Sequence, residues 1–446
     1  MKPTYYQSSE FGFDRQRISR AALQVVNGLQ SAGFDGYLVG GCVRDLLLGK
    51  IPKDFDVTTN ARPEEIKKIF DRARIIGRRF RLVHVRYHGE MVEVATYRAD
   101  PNRGGKKNWL KWARNKASNS GRITDDNVYG DIEGDAVRRD FTVNALYYDP
   151  TSEQVIDYLG GVADINDHCL KMIGNPADRF AEDPVRMLRV LRFKAKLGLE
   201  PVPSLVEAIH KHRLLLEDVP AARLFDEVLK MFHHAHAVSS WEELRHTGLA
   251  QLLFGQTIEV LEQENDHDYE QFIVSALENT DRRISQDKPV IPAFLFAVFL
   301  WGPFLSRHRQ LCAEKKNYMQ AFHQASDEVF AAQSLQVSVP RRVSAPAIEI
   351  WELQSALERR RPRAIRAILE NRRFRAAYDF LLLRARIGEV GQDLVDWWTR
   401  IQDVDGEGRD KIISQLAPGK SIRRSRKRRS PRKRKPVSGE EPRGSS

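Results

Sequence analysis

Residues 37–60 read Tyr-Leu-Val-Gly-Gly-Cys-Val-Arg-Asp-Leu-Leu-Leu-Gly-Lys-Ile-Pro-Lys-Asp-Phe-Asp-Val-Thr-Thr-Asn, and the way this stretch divides into elements decides the fold. Tyr37, Leu38 and Val39 form an apolar run that fits a short buried strand, and Gly40-Gly41 punctuates it. Leu46, Leu47 and Leu48 fit a short helix stopped by Gly49. Backbone without a Cβ at Gly40 and Gly41 can approach a ligand closely and aim its N–H groups at phosphate oxygens. Arg44, one helical turn further on, can add a fixed positive charge. Nine residues after Asp45 comes Asp54-Phe55-Asp56. On a strand, side chains at i and i+2 share a face, so Asp54 and Asp56 point together while Phe55 points into the core. Two carboxylates side by side repel each other unless a cation sits between them, and Mg²⁺ takes such oxygen ligands together with substrate phosphates.

Alone, an Asp-x-Asp is usually a solvated turn, and a Gly-Gly is usually just a turn. Joined as Gly-Gly-x-Val-Arg-Asp at residues 40–45 and followed by Asp-Phe-Asp, they resemble the head motif of the class II nucleotidyltransferases. That family contains the tRNA CCA-adding enzymes and the bacterial poly(A) polymerases.

The chain has 446 residues, long enough for two or more domains with a sizeable core. Hydrophobic residues at 41% and charged residues at 30% describe a soluble globular protein. No apolar run approaches the roughly 20 residues that span a bilayer, and the first ten residues contain no apolar core of a secretory signal. Cys42, Cys169 and Cys312 are scattered, which points to a reducing cytoplasm and excludes a cysteine-based zinc site. The net charge is +12, but residues 420–435 hold eleven Lys and Arg and no acid; subtracting eleven from twelve leaves +1 for the rest of the chain. The basicity belongs to a tail.

Residues 1–36 carry a helical pattern (Ile18, Leu23, Val26, Leu29) and read as scaffold. Residues 63–70 fit a helix, with Thr59 or Asn60 as its cap. Leu82-Val83-His84-Val85 and residues 91–97 are strand candidates. The run Arg78-Arg79-Phe80-Arg81 reads equally as the lining of an RNA or triphosphate path and as a solvated edge. Residues 100–127 are rich in Gly, Lys, Asn and Ser, and a mobile loop is expected there. Its Trp109 and Trp112 suit a small hydrophobic anchor or stacking on bases.

Arg138-Arg139-Asp140-Phe141-Thr142-Val143-Asn144-Ala145 is similar to the family's second motif. A two-metal phosphoryl-transfer site needs a third carboxylate beside the pair. Asp140 is the first choice and Glu93 the second; an N-cap on the following helix is the other reading of Asp140. At Glu182-Asp183-Pro184-Val185-Arg186 a helix begins, with Asp183 as cap and Pro184 at the first helical position. Met187, Leu188 and Leu191 form its apolar arc, with Arg186, Arg189 and Arg192 elsewhere around it. By itself this is an ordinary amphipathic helix. Beside the head motifs it resembles the family's neck motif, whose Asp and first Arg bond to the incoming base so that protein serves as template.

Beyond residue 200 the pattern is helical without clear strands. His233, His234 and His236, with His267-Asp268, invite a metal-dependent hydrolase reading, but the remaining ligands are not evident in the sequence. Residues 359–388 are dense in arginine, with Phe374, Tyr378, Phe380 and Leu381 to Leu383 as core. The outward arginines, Arg372, Arg373 and Arg375 among them, suit RNA phosphates and bases or a partly salt-bridged solvated face. The tail, with Arg423, Arg424, Arg426, Lys427, Arg428 and Arg429, has too little apolar content to fold and adds salt-sensitive affinity for RNA.

The resemblance implies an α+β fold: a small nucleotidyltransferase sheet domain of the polymerase-β-like palm type at 1–165, then an all-α neck (166–240), body (241–345) and arginine-rich RNA-binding leg (346–415), then a disordered basic tail (416–446). Residues 77–85, the segment 374–384 and the tail look like the poly(A) polymerase branch. That branch implies template-independent addition of AMP from ATP to RNA 3′ ends, as in mRNA polyadenylation and RNA decay. Two Mg²⁺ ions would sit on Asp54 and Asp56, with Asp140 or Glu93, and Gly40, Gly41, Arg44 and Arg139 would hold the triphosphate. Asp183 and Arg186, supported by Arg189 and Arg192, would read adenine. CCA addition to tRNA is the near alternative, and a non-catalytic RNA-binding protein the far one. Protein partners from RNA decay are not identifiable from the sequence.

Overall fold

The computed structural model describes residues 1–77, 81–87, 89–99, 128–263 and 267–416. The loop expected over 100–127 with Trp109 and Trp112, Arg78 to Phe80, and the tail from 417 onward with its six named basic residues lie outside the described residues.

The amino-terminal part is built on one mixed sheet of eight strands: β1 (Thr4–Gln7), β2 (Tyr37–Val39), β3 (Asp56–Thr59), β4 (Ala73–Ile76), β5 (Leu82–Tyr87), β6 (Glu90–Thr96), β7 (Leu146–Asp149) and β8 (Gln154–Asp157). Their spatial order is β1-β8-β7-β2-β3-β6-β5-β4. Every neighbouring pair is antiparallel except β3 and β6, which run parallel. Side chains alternate between faces along a strand, and here the alternation separates core from site. Leu38, Val57, Val83, Val85, Val92 and Val94 are buried in the main core. The helix Arg20–Ser31 covers that face with Ala21, Ala22, Val25, Val26 and Leu29, and Ser19 caps it by accepting the Ala22 N–H.

The opposite face is only partly covered. Val39, Tyr147 and Ile156 pack there against Ala136 of the helix Ile132–Arg138. Along the same transverse row, Val39 pairs with Asp56, and Asp56 pairs with Glu93. The apolar row therefore turns acidic where the helix no longer shields it. Phe55 packs against the core as expected, but the strand begins at Asp56, so Asp54 lies in the segment just before it.

After the sheet the described chain is helical apart from a two-residue parallel pair, Cys169–Leu170 with Glu200–Pro201. The helix Val185–Leu197 begins one residue later than the sequence pattern indicates. Pro184 precedes it, and Asp183 Oδ1 accepts the Val185 N–H at 3.3 Å. Further on, aromatic rings fill the core: Trp241, Phe254 and Phe299 form one cluster and Trp301, Phe304, Trp351 and Phe380 another. Buried rings of this size contribute several kcal/mol each, of order 3–5 for truncation to Ala. That is why a stretch of weak motif content still forms a firm scaffold.

Candidate active site

Asp56 on β3 stands directly opposite Glu93 on β6, and Glu93 stands directly opposite His84 on β5. Loss of hydration and the like charges of Glu93 and Asp54 push the Asp56 carboxyl up to about 6, while Arg139 pulls the other way. Loss of hydration is the larger cause and the two carboxylates add to it, although the Asp56 side chain still reaches solvent. Among the described residues neither Asp54 nor Asp56 has an ion-pair partner within 4 Å. Such an uncompensated acidic pair suits a hard divalent cation. No group of three or more His, Cys, Asp or Glu among the described residues is arranged to hold a metal unaided. An acidic pair of this kind suits ions whose coordination is completed by substrate phosphate and water, the usual state of Mg²⁺.

Beside this row the chain turns at Gly40, whose φ of +75° favours glycine. A Cβ there would lie 3.1 Å from Arg139 Nη1. Arg139 is held by Asp135 Oδ2, which accepts from its Nη2 at 3.0 Å and from the Tyr147 hydroxyl at 2.9 Å. Arg44 is buried, with Nε and Nη2 on Asp45 Oδ1 and Nη1 on Asn144 Oδ1 at 2.5 Å. It is thereby committed to fastening the helix Gly41–Leu47 onto the second motif.

Asp140 does not join the acidic row. Its Oδ2 lies 2.5 Å from Arg189 Nη2, and its Oδ1 accepts from Asn144 Nδ2 at 3.2 Å and from the Phe141 N–H at 2.9 Å. The sheet register brings Glu93 against Asp56, while Asp140 faces Arg189. In Asp140 the sequence pattern marked a residue that ties the sheet domain to the first long helix after it.

That helix presents the other expected residues. Asp183 Oδ2 accepts from Arg223 Nη2 at 2.6 Å. Arg186 Nη1 donates to Glu182 Oε2 at 2.8 Å and to the Arg179 carbonyl at 2.7 Å. The Arg44, Arg189 and Arg192 guanidiniums stand 5.3, 6.0 and 4.9 Å from the centre of the Phe193 ring. Arg192 Nε is 4.0 Å from Glu227 Oε2, and both atoms are buried without a hydrogen bond. Phe193, Asn144, Asp135 and Glu227 were not singled out from sequence. Asn144 was legible as a member of its motif, whereas no spacing marks the other three.

Farther away, Arg372 and Arg373 share Glu349, and Arg375 pairs with Asp379. These three arginines are salt-bridged. Burial pushes His233 down to about 4, so it is neutral.

Family profiles match three parts of the chain: the poly A polymerase head domain at residues 36–171, the probable RNA and SrmB-binding site of polymerase A at 198–261, and the polymerase A arginine-rich C-terminus at 314–435. The chain is 40% identical over 97% of its length to poly(A) polymerase I of Escherichia coli O6:H1, covering 92% of that protein. It is 42% identical over 95% of its length to poly(A) polymerase I of Haemophilus influenzae, covering 94%. The fold is similar to that of the Bacillus stearothermophilus CCA-adding enzyme in complex with CTP, with a TM-score of 0.58, 23% identity, and coverage of 90% of this chain and 89% of that one.

Proposed function

The chain belongs to the poly(A) polymerase family of polynucleotide adenylyltransferases, and we propose that it transfers AMP from ATP to RNA 3′ ends on the open acidic face of its sheet. The observation that carries this site assignment is the facing of Asp56 and Glu93 across β3 and β6, with Asp54 adjacent and, among the described residues, no basic side chain ion-paired to either aspartate.

In this reading Asp54, Asp56 and Glu93 would hold two Mg²⁺ ions. Bound there, such ions would lower the pKa of the RNA 3′-hydroxyl and offset the charge that builds up on pyrophosphate. The terminal 3′-oxygen attacks the α-phosphorus, the bond to the β-phosphate breaks, and pyrophosphate leaves. The turn at Gly40-Gly41 leaves room for the triphosphate beside Arg139, which Asp135 and Tyr147 hold in place. Arg44 acts on the phosphates indirectly, through the position of that turn. Asp183 and Arg186 read adenine: a carboxylate accepts from the exocyclic amine and a guanidinium donates to a ring nitrogen. For this they must give up Arg223 and Glu182, their partners in the free protein. Arg189 and Arg192, gathered over Phe193, brace the same wall. Arg372, Arg373 and Arg375, with the basic tail, supply sequence-blind affinity for RNA. Among the described residues no helix is long and apolar enough to cross a membrane. The reading includes a cytoplasmic setting, which three free cysteines suit.

Incubation with Mg²⁺ and single labelled nucleotides tests the proposal, using an unstructured RNA and a tRNA lacking its CCA end as primers. A long ladder on the unstructured RNA with ATP alone is expected. Extension confined to the tRNA, requiring CTP and stopping after three residues, would instead assign CCA addition.

A further inference from the structure

The acidic row does not end at Glu93. On the next strand His84 occupies the directly opposite position, and its Nε2 lies 3.2 Å from Glu93 Oε1. A carboxylate only accepts, so the ring nitrogen is the donor. Val83 and Val85 on either side are buried in the core, which obliges the His84 side chain to project onto the site face. The imidazole is mostly shielded, at 21% side-chain exposure, whereas Glu93 is 51% exposed. A long, half-solvated glutamate has many rotamers, and one fixed donor on a rigid strand restricts them.

We propose that His84 is a positioning residue: it holds one oxygen of Glu93, leaving the other to meet a cation shared with Asp56. This rests on the reading that Glu93 is the third metal-holding carboxylate. Donors of this kind orient ligands that would otherwise wander, and their loss costs about 10- to 100-fold in metal affinity or activity. His84 itself touches neither the substrate nor the ion.

Because the contact comes from Nε2, the two carboxamides separate a hydrogen-bonding role from a merely space-filling one. The Gln amide nitrogen reaches about as far as Nε2; the Asn amide stops short. Mn²⁺ binding to the nucleotide-free protein, read by electron paramagnetic resonance, and the Mg²⁺ concentration for half-maximal primer extension are measured for wild type, His84→Gln, His84→Asn and Glu93→Gln. His84→Asn is expected to weaken Mn²⁺ binding and raise the Mg²⁺ requirement by about tenfold or more, with His84→Gln within about threefold of wild type. His84→Asn behaving as wild type, or Asn and Gln losing affinity equally, would overturn the role given to His84. The Glu93→Gln control tells the two levels apart. If it is impaired while His84→Asn is not, only the positioning role fails; if it too is unaffected, the three-carboxylate site fails with it.

Discussion

The acidic face of the sheet and the arginine-rich helices near the carboxyl end are both strongly charged, yet they treat charge in opposite ways. Around Phe374–Arg386 several arginines pair with acids: Arg372 and Arg373 with Glu349, Arg375 with Asp379, and Arg384 with Glu358 and Glu389. At the sheet, Asp54 and Asp56 have found no cation among the described residues, and Asp56 is crowded by its own kind. Matched charge is architecture; unmatched charge is an unfilled demand for a ligand. Surface pairs of the first kind contribute little to stability, whereas a cluster of the second kind costs free energy until something binds. The comparison puts chemistry at the sheet and leaves the helices with structure and loose RNA affinity.

The comparison would break most visibly if the acids were dispensable. Asp54→Ala or Asp56→Ala is expected to lower the extension rate about a thousandfold or more while RNA binding persists; gel-shift and primer-extension assays on the same preparations show both. On the helical side, the Arg384 side chain is only 10% exposed, bonds to two glutamates at 2.7 Å and lies over Trp301. Arg384→Ala should cost about 3–5 kcal/mol in denaturant unfolding, with the turnover of the remaining folded protein unchanged.

A subtler contrast concerns pH. The Asp56 carboxyl is raised from 3.8 to about 6 in the folded state. A raised carboxyl pKa favours the folded form below the unfolded value, and that advantage disappears as pH rises through the folded value. Metal-free protein should therefore lose thermal stability between about pH 4 and pH 6, relative to Asp56→Asn. Above pH 6 added Mg²⁺ should raise the melting temperature of the wild type more than that of the variant. Differential scanning fluorimetry across this range checks both. The smallest effect is expected at Arg372, whose side chain is 74% exposed. Arg372→Ala should change stability by less than about 1 kcal/mol and weaken RNA binding uniformly across sequences.

The difference also explains what could be read in advance. Gly40-Gly41, Arg44, Asp54 and Asp56 lie within seventeen residues and form one local pattern, so strand, turn and acids were legible together. The acid that faces Asp56 was not, because β3 and β6 pair across 37 positions. No local spacing says whether Glu93 or Asp140 lands beside Asp56. Asp140 drew attention through its motif, and its partner Arg189 is 49 positions away. The arginine-rich segment was legible as basic, but which of its arginines pair with acids was not, since Glu349, the partner of Arg372 and Arg373, lies on the helix Arg341–Arg359. Long-range pairing decided each of these cases, and composition carries no record of it.

The central claim is that Asp56 and Glu93, joined by sheet register, form the cation-holding pair, and that Asp140 stands outside it. Mn²⁺ affinity of Glu93→Gln and Asp140→Asn, measured side by side on nucleotide-free protein, tests this most directly. The account predicts a loss of about tenfold or more for Glu93→Gln and wild-type affinity for Asp140→Asn. Lost affinity in Asp140→Asn with Glu93→Gln unaffected would contradict it.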